Sequence, residues 1–335
     1  GNSKKAKAFM REIAYNLVNL FPPEKKIKVL EIGSGDGGQL LEFKNLGCDV
    51  LGFEPSENLV QIAQSKGIES IKGLFSEKTV KVLPQSNSKF NIVFLSYTFD
   101  HLPEPKIFLR TVRRILESNE GLLAIEVHDI EKIFTQKEYC LFEHEHSVYL
   151  NEATAYSVLK ENGFNIIDFN IVPISSRRAN SLIFIASNNT SAKFPKRIKA
   201  KSQNNFLDFS FLKDQVKKVK TNLKNIEQYI ENETNNGKRI AGYGAGGRGV
   251  MTLALLNNAD KLTYLIDKNP KGKNLFTPKS RLPVFNIEKL NDDKVDEIIV
   301  FSYGYIDEIF EDIRKFGYSR KQLHAFPDLM ESNQK

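Results

Sequence analysis

Short apolar runs alternate with amphipathic segments through the first half of the chain. Between residues 27 and 187 the apolar runs have the length of buried strands, and most of the segments between them repeat apolar residues at helical spacing. The strand-like runs read IKVLEIG, CDVLGFEP, ESIKGLF, FNIVFLSY, GLLAIEV, FNIIDFNIV and NSLIFIAS. Strands that alternate with helices predict an α/β fold built on a doubly wound, mostly parallel sheet.

The last two of these runs are joined by VPISSRRAN, which has no helical pattern. A connection without a crossover helix predicts a hairpin, and therefore an antiparallel strand at the edge of the sheet. Residues 1–24 carry a separate amphipathic pattern, which predicts an N-terminal helix. We therefore place the first domain at residues 25–190.

The second half of the chain begins with residues 191–236, a basic segment that predicts a linker followed by a long amphipathic helix. Apolar residues repeat along this helix at alternating spacings of three and four, which is a heptad pattern. They are Phe209, Leu212, Val216, Val219, Leu223, Ile226 and Ile230. The seam predicts packing against the chain's own domains or, as an alternative, a dimer contact, so a monomer and a homodimer both remain open.

A second alternating unit occupies residues 237–335. Its strand-like runs read KRIAGYG, LTYLID, VDEIIVFSY and LHAFP. This pattern predicts a second, smaller α/β domain.

Composition and charge exclude several classes of protein. The two cysteines, Cys48 and Cys140, are too few for a disulfide framework. This low cysteine count fits a cytoplasmic protein, and because no apolar run approaches the roughly 20 residues of a membrane span we expect no membrane partner. The net charge of +7 is concentrated in residues 191–225, which contain ten Lys or Arg and two Asp. Such a run is typical of a solvated surface, and we expect no nucleic-acid binding.

The segment IKVLEIGSGDG ends a predicted strand in three glycines, Gly33, Gly35 and Gly37. Glycines allow a ligand to lie against the backbone. Glu31 precedes the loop, and Glu54 ends the next predicted strand, where a nucleotide-type ligand presents its ribose hydroxyls. The spacing differs from the G-x-G-x-x-G of dinucleotide binding.

VLEIGSGDG, GFEPS and FLSYTFDHLPEP resemble the cofactor half of class I S-adenosylmethionine methyltransferases, which have a Rossmann-like sheet. The resemblance implies that S-adenosylmethionine lies over the glycine loop with its ribose on Glu54. An ammonium and a sulfonium group favour carboxylates and carbonyls rather than a phosphate-cradling helix end. The residues implied to contact the cofactor are Glu31, Gly33, Ser34, Gly35, Asp36, Gly37, Glu54, Pro55, Leu74, Phe75, Ser96 and Tyr97.

Nearly the whole chain is similar to the sugar C-methyltransferases, through FEHEHSVYLN, GYGAGGRG, LIDKNP and VDEIIVFSYGY. That family methylates a nucleotide-linked 4-keto deoxysugar at the carbon beside the ketone, and its second Rossmann-like domain closes over the sugar nucleotide. The resemblance implies that His146 is the general base, with Glu145 and His101 also at the acceptor. The family usually begins with a zinc-binding domain that this sequence lacks, and it has a tyrosine at the position of Glu143.

The positions of the histidines along the chain indicate the same region independently of the family resemblance. Four of the five histidines follow the fourth and fifth predicted strands, and ligands bind at the carboxyl ends of strands in open α/β sheets. A neutral imidazole is a suitable base for a carbon acid. The predicted catalytic residues are His146, Glu145, His101 and His144. In an extended chain His144 and His146 could instead bind zinc with His101, but a cation beside a sulfonium is unfavourable, and we predict no metal.

The second glycine loop, Gly242-x-Gly244-x-x-Gly247, matches the dinucleotide fingerprint, and Asp267 ends the next strand. NAD binding is one reading. The family resemblance favours the other, in which this loop is a wall of the acceptor site. The implied substrate-binding residues are Tyr149, Tyr243, Gly244 and Arg248. O- or N-methyl transfer to a related sugar, and a non-catalytic protein that binds a sugar nucleotide or NAD, remain alternatives.

Overall fold

The computed structural model describes residues 4–81, 83, 89–118, 120–173, 180–188, 205–270, 272, 274–301 and 306–331. The chain divides into two compact units, Gly1–Lys132 with His144–Asn204, and Ile133–Glu143 with Asn205–Lys335. Most of the predicted linker and of VPISSRRAN lies outside the described residues. Within the described ranges, no helix combines the length and the apolar character needed to span a membrane.

A seven-stranded sheet forms the centre of the first unit. Its strands are β1 (Lys28–Ile32), β2 (Asp49–Glu54), β3 (Ser70–Lys72), β4 (Ile92–Ser96), β5 (Leu122–His128), β6 (Asn165–Phe169) and β7 (Ser181–Ser187). Their order across the sheet is β3-β2-β1-β4-β5-β7-β6. The neighbours among β1 to β5 pair in parallel, while β7 runs antiparallel to both β5 and β6. The predicted doubly wound α/β sheet is confirmed; the antiparallel strand lies one position in from the edge, because the hairpin sets β7 beside β5.

Helices cover both faces of this sheet. They are α1 (Lys4–Val18), α2 (Gly38–Asn45), α3 (Glu57–Ser65), α4 (Glu77–Lys81), α5 (Pro105–Ile115) and α7 (Glu152–Glu161); the division between the two units falls within α6 (Ile130–Thr135). Alternate residues of β1 enter different cores, Leu30 on one face and Val29 on the other, as the two-residue period of a strand requires. The N-terminal helix buries Phe9, Ile13 and Leu17 in the same core as Val29.

This topology positions the candidate site. Parallel strands end at a common edge, so the loops after β1, β2, β4 and β5 are neighbours there. The strand order reverses between β1 and β4, and the crevice at such a reversal is where open α/β sheets bind ligands.

The second unit contains a six-stranded sheet and the long predicted helix. The strands are β8 (Ile240–Tyr243), β9 (Leu265–Asp267), β10 (Leu275–Phe276), β11 (Pro283–Asn286), β12 (Glu297–Val300) and β13 (Leu323–Ala325), in the order β10-β11-β9-β8-β12-β13. The helices are α8 (Phe209–Asn235), α9 (Gly247–Ala254), α10 (Lys289–Asp292), α11 (Ile306–Arg314) and α12 (Phe326–Leu329). The predicted second α/β unit is confirmed.

The heptad seam of α8 divides into two halves. Ile226 and Ile230 are fully buried in the core of the second unit, whereas Phe209 is 80% exposed and Val216 is also exposed. The second half of the seam therefore packs within its own unit. A dimer contact through the first half stays a prediction.

Candidate active site

The loop after β1 has a backbone that favours glycine. Gly33 has φ 74° and Gly35 has φ 54°, both in the left-handed region. A Cβ atom on Gly33 would lie 2.3 Å from Thr98 Oγ1, so close packing requires a glycine there. A Cβ atom on Gly35 would meet nothing within 4 Å. The loop thus leaves space in front of Gly35, where a ligand can approach the backbone.

Glu54 at the end of β2 is bound to this loop. Its Oε2 accepts a hydrogen bond of 2.9 Å from the Gly35 amide, and its Oε1 accepts one of 2.9 Å from the Ser56 amide. Each carboxylate oxygen has a further lone pair, which can accept from a ribose hydroxyl. Glu54 therefore holds the loop and still offers the acceptors that a ribose needs.

Glu31 at the end of β1 is a buried carboxylate whose Oε2 has no hydrogen-bond partner among the described residues. Burial raises its pKa well above the ordinary value; Asp36 and Glu54 add to the rise, and the Leu40 amide opposes it. A buried polar atom without a partner is destabilising. The arrangement fits a positively charged ligand, and S-adenosylmethionine carries an ammonium and a sulfonium group.

Other predicted cofactor residues hold the loop in place. The Oδ1 of Asp36 accepts a hydrogen bond of 3.1 Å from the Gly38 amide at the start of α2. Its Oδ2 lies 2.7 Å from Lys66 Nζ, and this lysine holds the pKa of Asp36 below its usual range. Ser34 Oγ lies 3.4 Å from the Oγ of Ser70, the first residue of β3.

The residues after β2 and β3 differ in their surroundings. Pro55 and Leu74 are exposed. Phe75 packs edge-on against Phe53 at 5.6 Å and against Phe108 at 5.3 Å, between ring centroids. Its ring is therefore part of the apolar core of the first unit, and its contact with the cofactor stays a prediction.

Three of the four clustered histidines converge at the carboxyl edge of the sheet. The ring centroid of His146 lies 4.7 Å from that of His101 and 5.2 Å from that of His128, and the Tyr149 ring is 5.8 Å away. His146 itself is only 9% exposed. The amides of Ser147 and Val148 donate to the Asp100 carbonyl, at 2.8 and 3.1 Å, and so fix this segment to the loop after β4.

His144 and Glu145, also predicted as catalytic, do not join this cluster. Their side chains are 88% and 62% exposed, and His144 Nε2 lies 3.9 Å from Glu145 Oε1. The two residues form a turn rather than the extended chain that the zinc alternative assumed. His144 is exposed whereas His146 is nearly buried, so the alternative zinc set of His101, His144 and His146 is not assembled.

Asp100 and His128 complete the cluster; His128 is one of the four histidines that the sequence analysis grouped, and neither residue is among the predicted catalytic ones. Asp100 is 2% exposed, and its Oδ2 lies 2.8 Å from His128 Nδ1. An ionised carboxylate only accepts hydrogen bonds, which assigns the proton to Nδ1. The His128 ring lies 4.3 Å from the ring of Tyr97, which has φ 49° at the end of β4. The sequence signal was a carboxylate and a histidine at the ends of neighbouring strands.

Ser96, a predicted cofactor residue, forms a side-chain hydrogen bond within the sheet. Its hydroxyl donates to Glu126 Oε2 at 2.5 Å, and the hydroxyl of Ser181 donates to the other oxygen of Glu126 at 2.9 Å. These bonds satisfy a buried carboxylate on β5.

The second glycine loop repeats the arrangement of the first. Asp267 at the end of β9 accepts hydrogen bonds of 2.9 Å from the amides of Ala245 and Asn269, as Glu54 does from Gly35 and Ser56. Tyr243 is buried in the core of the second unit, and burial, followed by Asp312 and Asp267, raises its pKa to about 12.

The other two predicted substrate residues on this loop differ in exposure, since Gly244 is buried and Arg248 is exposed. Gly244 has φ 109°. Arg248 is about half exposed in the first turn of α9, where its guanidinium lies 3.8 Å from the Glu138 carboxylate.

The chain is similar to several known methyltransferases. Residues 5–168 match the family described as "Methyltransferase domain", and residues 182–325 match the "C-methyltransferase C-terminal domain". The chain is 21% identical over 299 residues to C-methyltransferase NovU of Streptomyces niveus, covering 86% of this chain and 69% of that protein. It is 27% identical over 103 residues to the uncharacterized methyltransferase YcgJ of Bacillus subtilis, and this match covers 30% of the chain and 40% of that protein. A crystal structure of a methyltransferase from Archaeoglobus fulgidus aligns with a TM-score of 0.41 at 16% identity, over 54% of this chain and 93% of that one.

The chain is an S-adenosylmethionine-dependent methyltransferase, with S-adenosylmethionine as its methyl donor. Within that class, its second half matches a C-methyltransferase domain and the chain is similar to a C-methyltransferase, NovU.

Proposed function

We propose that this methyltransferase methylates a nucleotide-linked keto deoxysugar at the carbon beside the ketone, with His146 as general base. The observation that carries the proposal is the convergence of His101, His128 and His146 at the edge of the sheet that also holds the glycine loop. The match to a C-methyltransferase domain supports carbon as the atom that receives the methyl group.

The chemistry requires a base that is neutral and shielded from water. An unperturbed imidazole is largely neutral near pH 7 and accepts a proton from a weak carbon acid. His146 is nearly buried, so little water competes for its nitrogen. When bound, S-adenosylmethionine supplies an electrophilic methyl group; Glu31, Gly35 and Glu54 would hold it. By taking the proton, His146 leaves the carbon beside the ketone rich in electrons and ready for methylation.

Two separate sets of residues are candidates for contacts with the acceptor. Tyr149, beside His146, is a candidate contact for the sugar. The exposed guanidinium of Arg248 and the amides at the start of α9 suit the negative charge of a diphosphate. In this proposal Asp267 orders the second glycine loop through its two amide contacts.

Proton exchange tests the base without any methyl donor. In heavy water, wild-type enzyme is expected to introduce deuterium beside the ketone of a 4-keto sugar nucleotide, as followed by NMR. His146→Ala should slow this exchange about a hundredfold or more, since general base catalysis contributes about 10²–10⁴-fold. Its affinity for S-adenosylmethionine should stay within about threefold, under 1 kcal/mol.

His144→Ala makes the same chemical change two residues away in an exposed side chain. We expect exchange at close to the wild-type rate. Exchange that persists in His146→Ala would place the base elsewhere. No exchange in wild type with any keto sugar nucleotide would count against carbon methylation and favour O- or N-transfer.

A further inference from the structure

Asp100 is a buried carboxylate with an uneven set of contacts. Its Oδ2 accepts two hydrogen bonds from His128, at 2.8 Å from the ring Nδ1 and at 3.2 Å from the backbone amide. Its Oδ1 has no hydrogen-bond partner in the described part of the chain. Burial of a carboxylate is unfavourable unless nearby positive charge offsets it. Asp100 therefore favours a positively charged group beside it.

Two imidazoles lie beside this carboxylate. One oxygen of Asp100, one ring nitrogen of His128 and one ring nitrogen of His146 all lie within 4.8 Å of one another. The two rings are 5.2 Å apart between centroids and tilted by 34°. A proton on either ring would be attracted to the carboxylate, and water screens this attraction poorly because all three side chains are buried.

We propose that Asp100 is the buried counter-ion of the catalytic base, and that His128 links it to His146. The proposal rests on the proposed function of His146. The C–H bond beside the ketone breaks, its electron pair enters the enolate, and the proton forms an N–H bond on His146. The charge of Asp100 stabilises the resulting imidazolium until its proton passes to solvent. Asp100 and His128 are positioning residues, because they act through His146.

The same three side chains also offer atoms of the types that bind metal ions. The contact between Asp100 and His128 favours a counter-ion role for Asp100 over a metal site. Their closest atoms face each other at hydrogen-bond distance, and the backbone amide of His128 shares the same oxygen. A metal ion would need these lone pairs turned toward a common point.

The Asp100→Asn substitution removes the negative charge and keeps the two hydrogen bonds from His128. Both hydrogen bonds end on one oxygen, so an amide oxygen can accept them unchanged while the amide nitrogen takes the place of the partnerless Oδ1. We expect deuterium exchange into the keto sugar nucleotide to slow about a hundredfold, as when one group that stabilises a developing charge is removed. Affinity for S-adenosylmethionine and KM for the acceptor should stay within about threefold.

A purely structural role for Asp100 would not change the titration of the histidines. Nitrogen-15 NMR of labelled, ligand-free protein is expected to show the titration of His146 at lower pH in Asp100→Asn, because an imidazolium without its counter-ion loses the proton more readily. The other titratable rings around His128 and His146 are those of His101, Tyr97 and Tyr149. The Asp100→Asn substitution leaves all three of these residues in place.

Asp129→Asn is the matched control. This carboxylate follows His128 and is also buried, but its Oδ1 accepts from the Glu131 amide at 3.0 Å and it lies outside the histidine cluster. We expect exchange within about threefold of wild type and an unchanged His146 titration.

If the Asp100→Asn variant showed the wild-type exchange rate and the wild-type histidine titration, the proposed counter-ion role of Asp100 would be overturned. One equivalent of tightly bound metal in wild type that is lost in the variant, as measured by elemental analysis, would also overturn it. If wild type catalyses no exchange, the proposed function fails, and the NMR titration of the ligand-free protein still decides whether Asp100 is the counter-ion.

Discussion

Glu31 has its carboxylate buried at the end of β1, with Oε2 unpartnered among the described residues. Burial is the main reason that its pKa is raised, so protonation is more favourable for Glu31 than for an exposed glutamate. The stability that such a group contributes is present below its unfolded pKa and is lost as the pH rises through its folded pKa. The ionised form is therefore destabilising in the free protein and becomes favourable when a cationic ligand binds.

A Glu31→Gln variant should show this opposition between stability and binding. At neutral pH we expect the free variant to melt at a higher temperature than wild type, because no charge has to be buried. Its affinity for S-adenosylmethionine should fall about tenfold, or ~1.4 kcal/mol. Glu57→Gln, which removes an exposed carboxylate on α3, is the control and should change neither quantity much.

The pH dependence gives the same test in wild type. A ligand that prefers ionised Glu31 releases a proton on binding, so affinity should weaken as the pH falls through the raised pKa of this group. Calorimetry in two buffers of different ionisation enthalpy measures the released proton. Affinity that is independent of pH over that range, together with a fully active Glu31→Gln, would mean that Glu31 does not face the cofactor's charge.

The glycine loop was predictable because its signal is local: glycines and carboxylates stand within one short segment that follows an apolar run. The pair Asp100 and His128 was not predictable in this way. The two residues are 28 positions apart, and they meet because β4 and β5 pair in parallel with Ser96 opposite Glu126. The extended chain that the zinc alternative assumed for His144 and His146 was wrong for a related reason, since a turn begins at His144.

At the level of the loop and its flanking strand and helix, Gly35→Val tests cofactor binding. Gly35 has φ 54° with nothing within 4 Å of a Cβ atom, and a branched side chain would fill the space where we place the ligand. We expect calorimetric affinity for S-adenosylmethionine to fall by about a hundredfold or more, ~2.8 kcal/mol.

Gly47→Val controls for backbone strain. Gly47 follows α2 with φ 85° and also has nothing within 4 Å of a Cβ atom. A left-handed backbone costs about 1–2 kcal/mol for a residue with a side chain, so both variants should lose comparable stability. Equal binding by the two variants would show that the space at Gly35 is not the cofactor site.

Across the whole molecule, the sequence pattern predicted both α/β units, because alternating apolar runs report buried strands directly. It did not predict that Ile133–Glu143 belongs with the second unit. This grouping depends on contacts far apart in the chain, such as Tyr139 with Asn222 at 2.8 Å. The strands β10 and β11 were also missed, since β10 has only two residues and β11 begins with a proline and ends with an asparagine.

The central claim is that the methyl group is transferred to carbon. The direct measurement is to supply S-adenosylmethionine labelled with carbon-13 in its methyl group, together with a series of 4-keto deoxysugar nucleotides. Through-bond NMR correlations then identify the atom that carries the label. We predict a methyl carbon coupled to the ring carbon beside the ketone, formed by wild type and about a hundredfold more slowly by His146→Ala. A label attached through oxygen or nitrogen would contradict the claim.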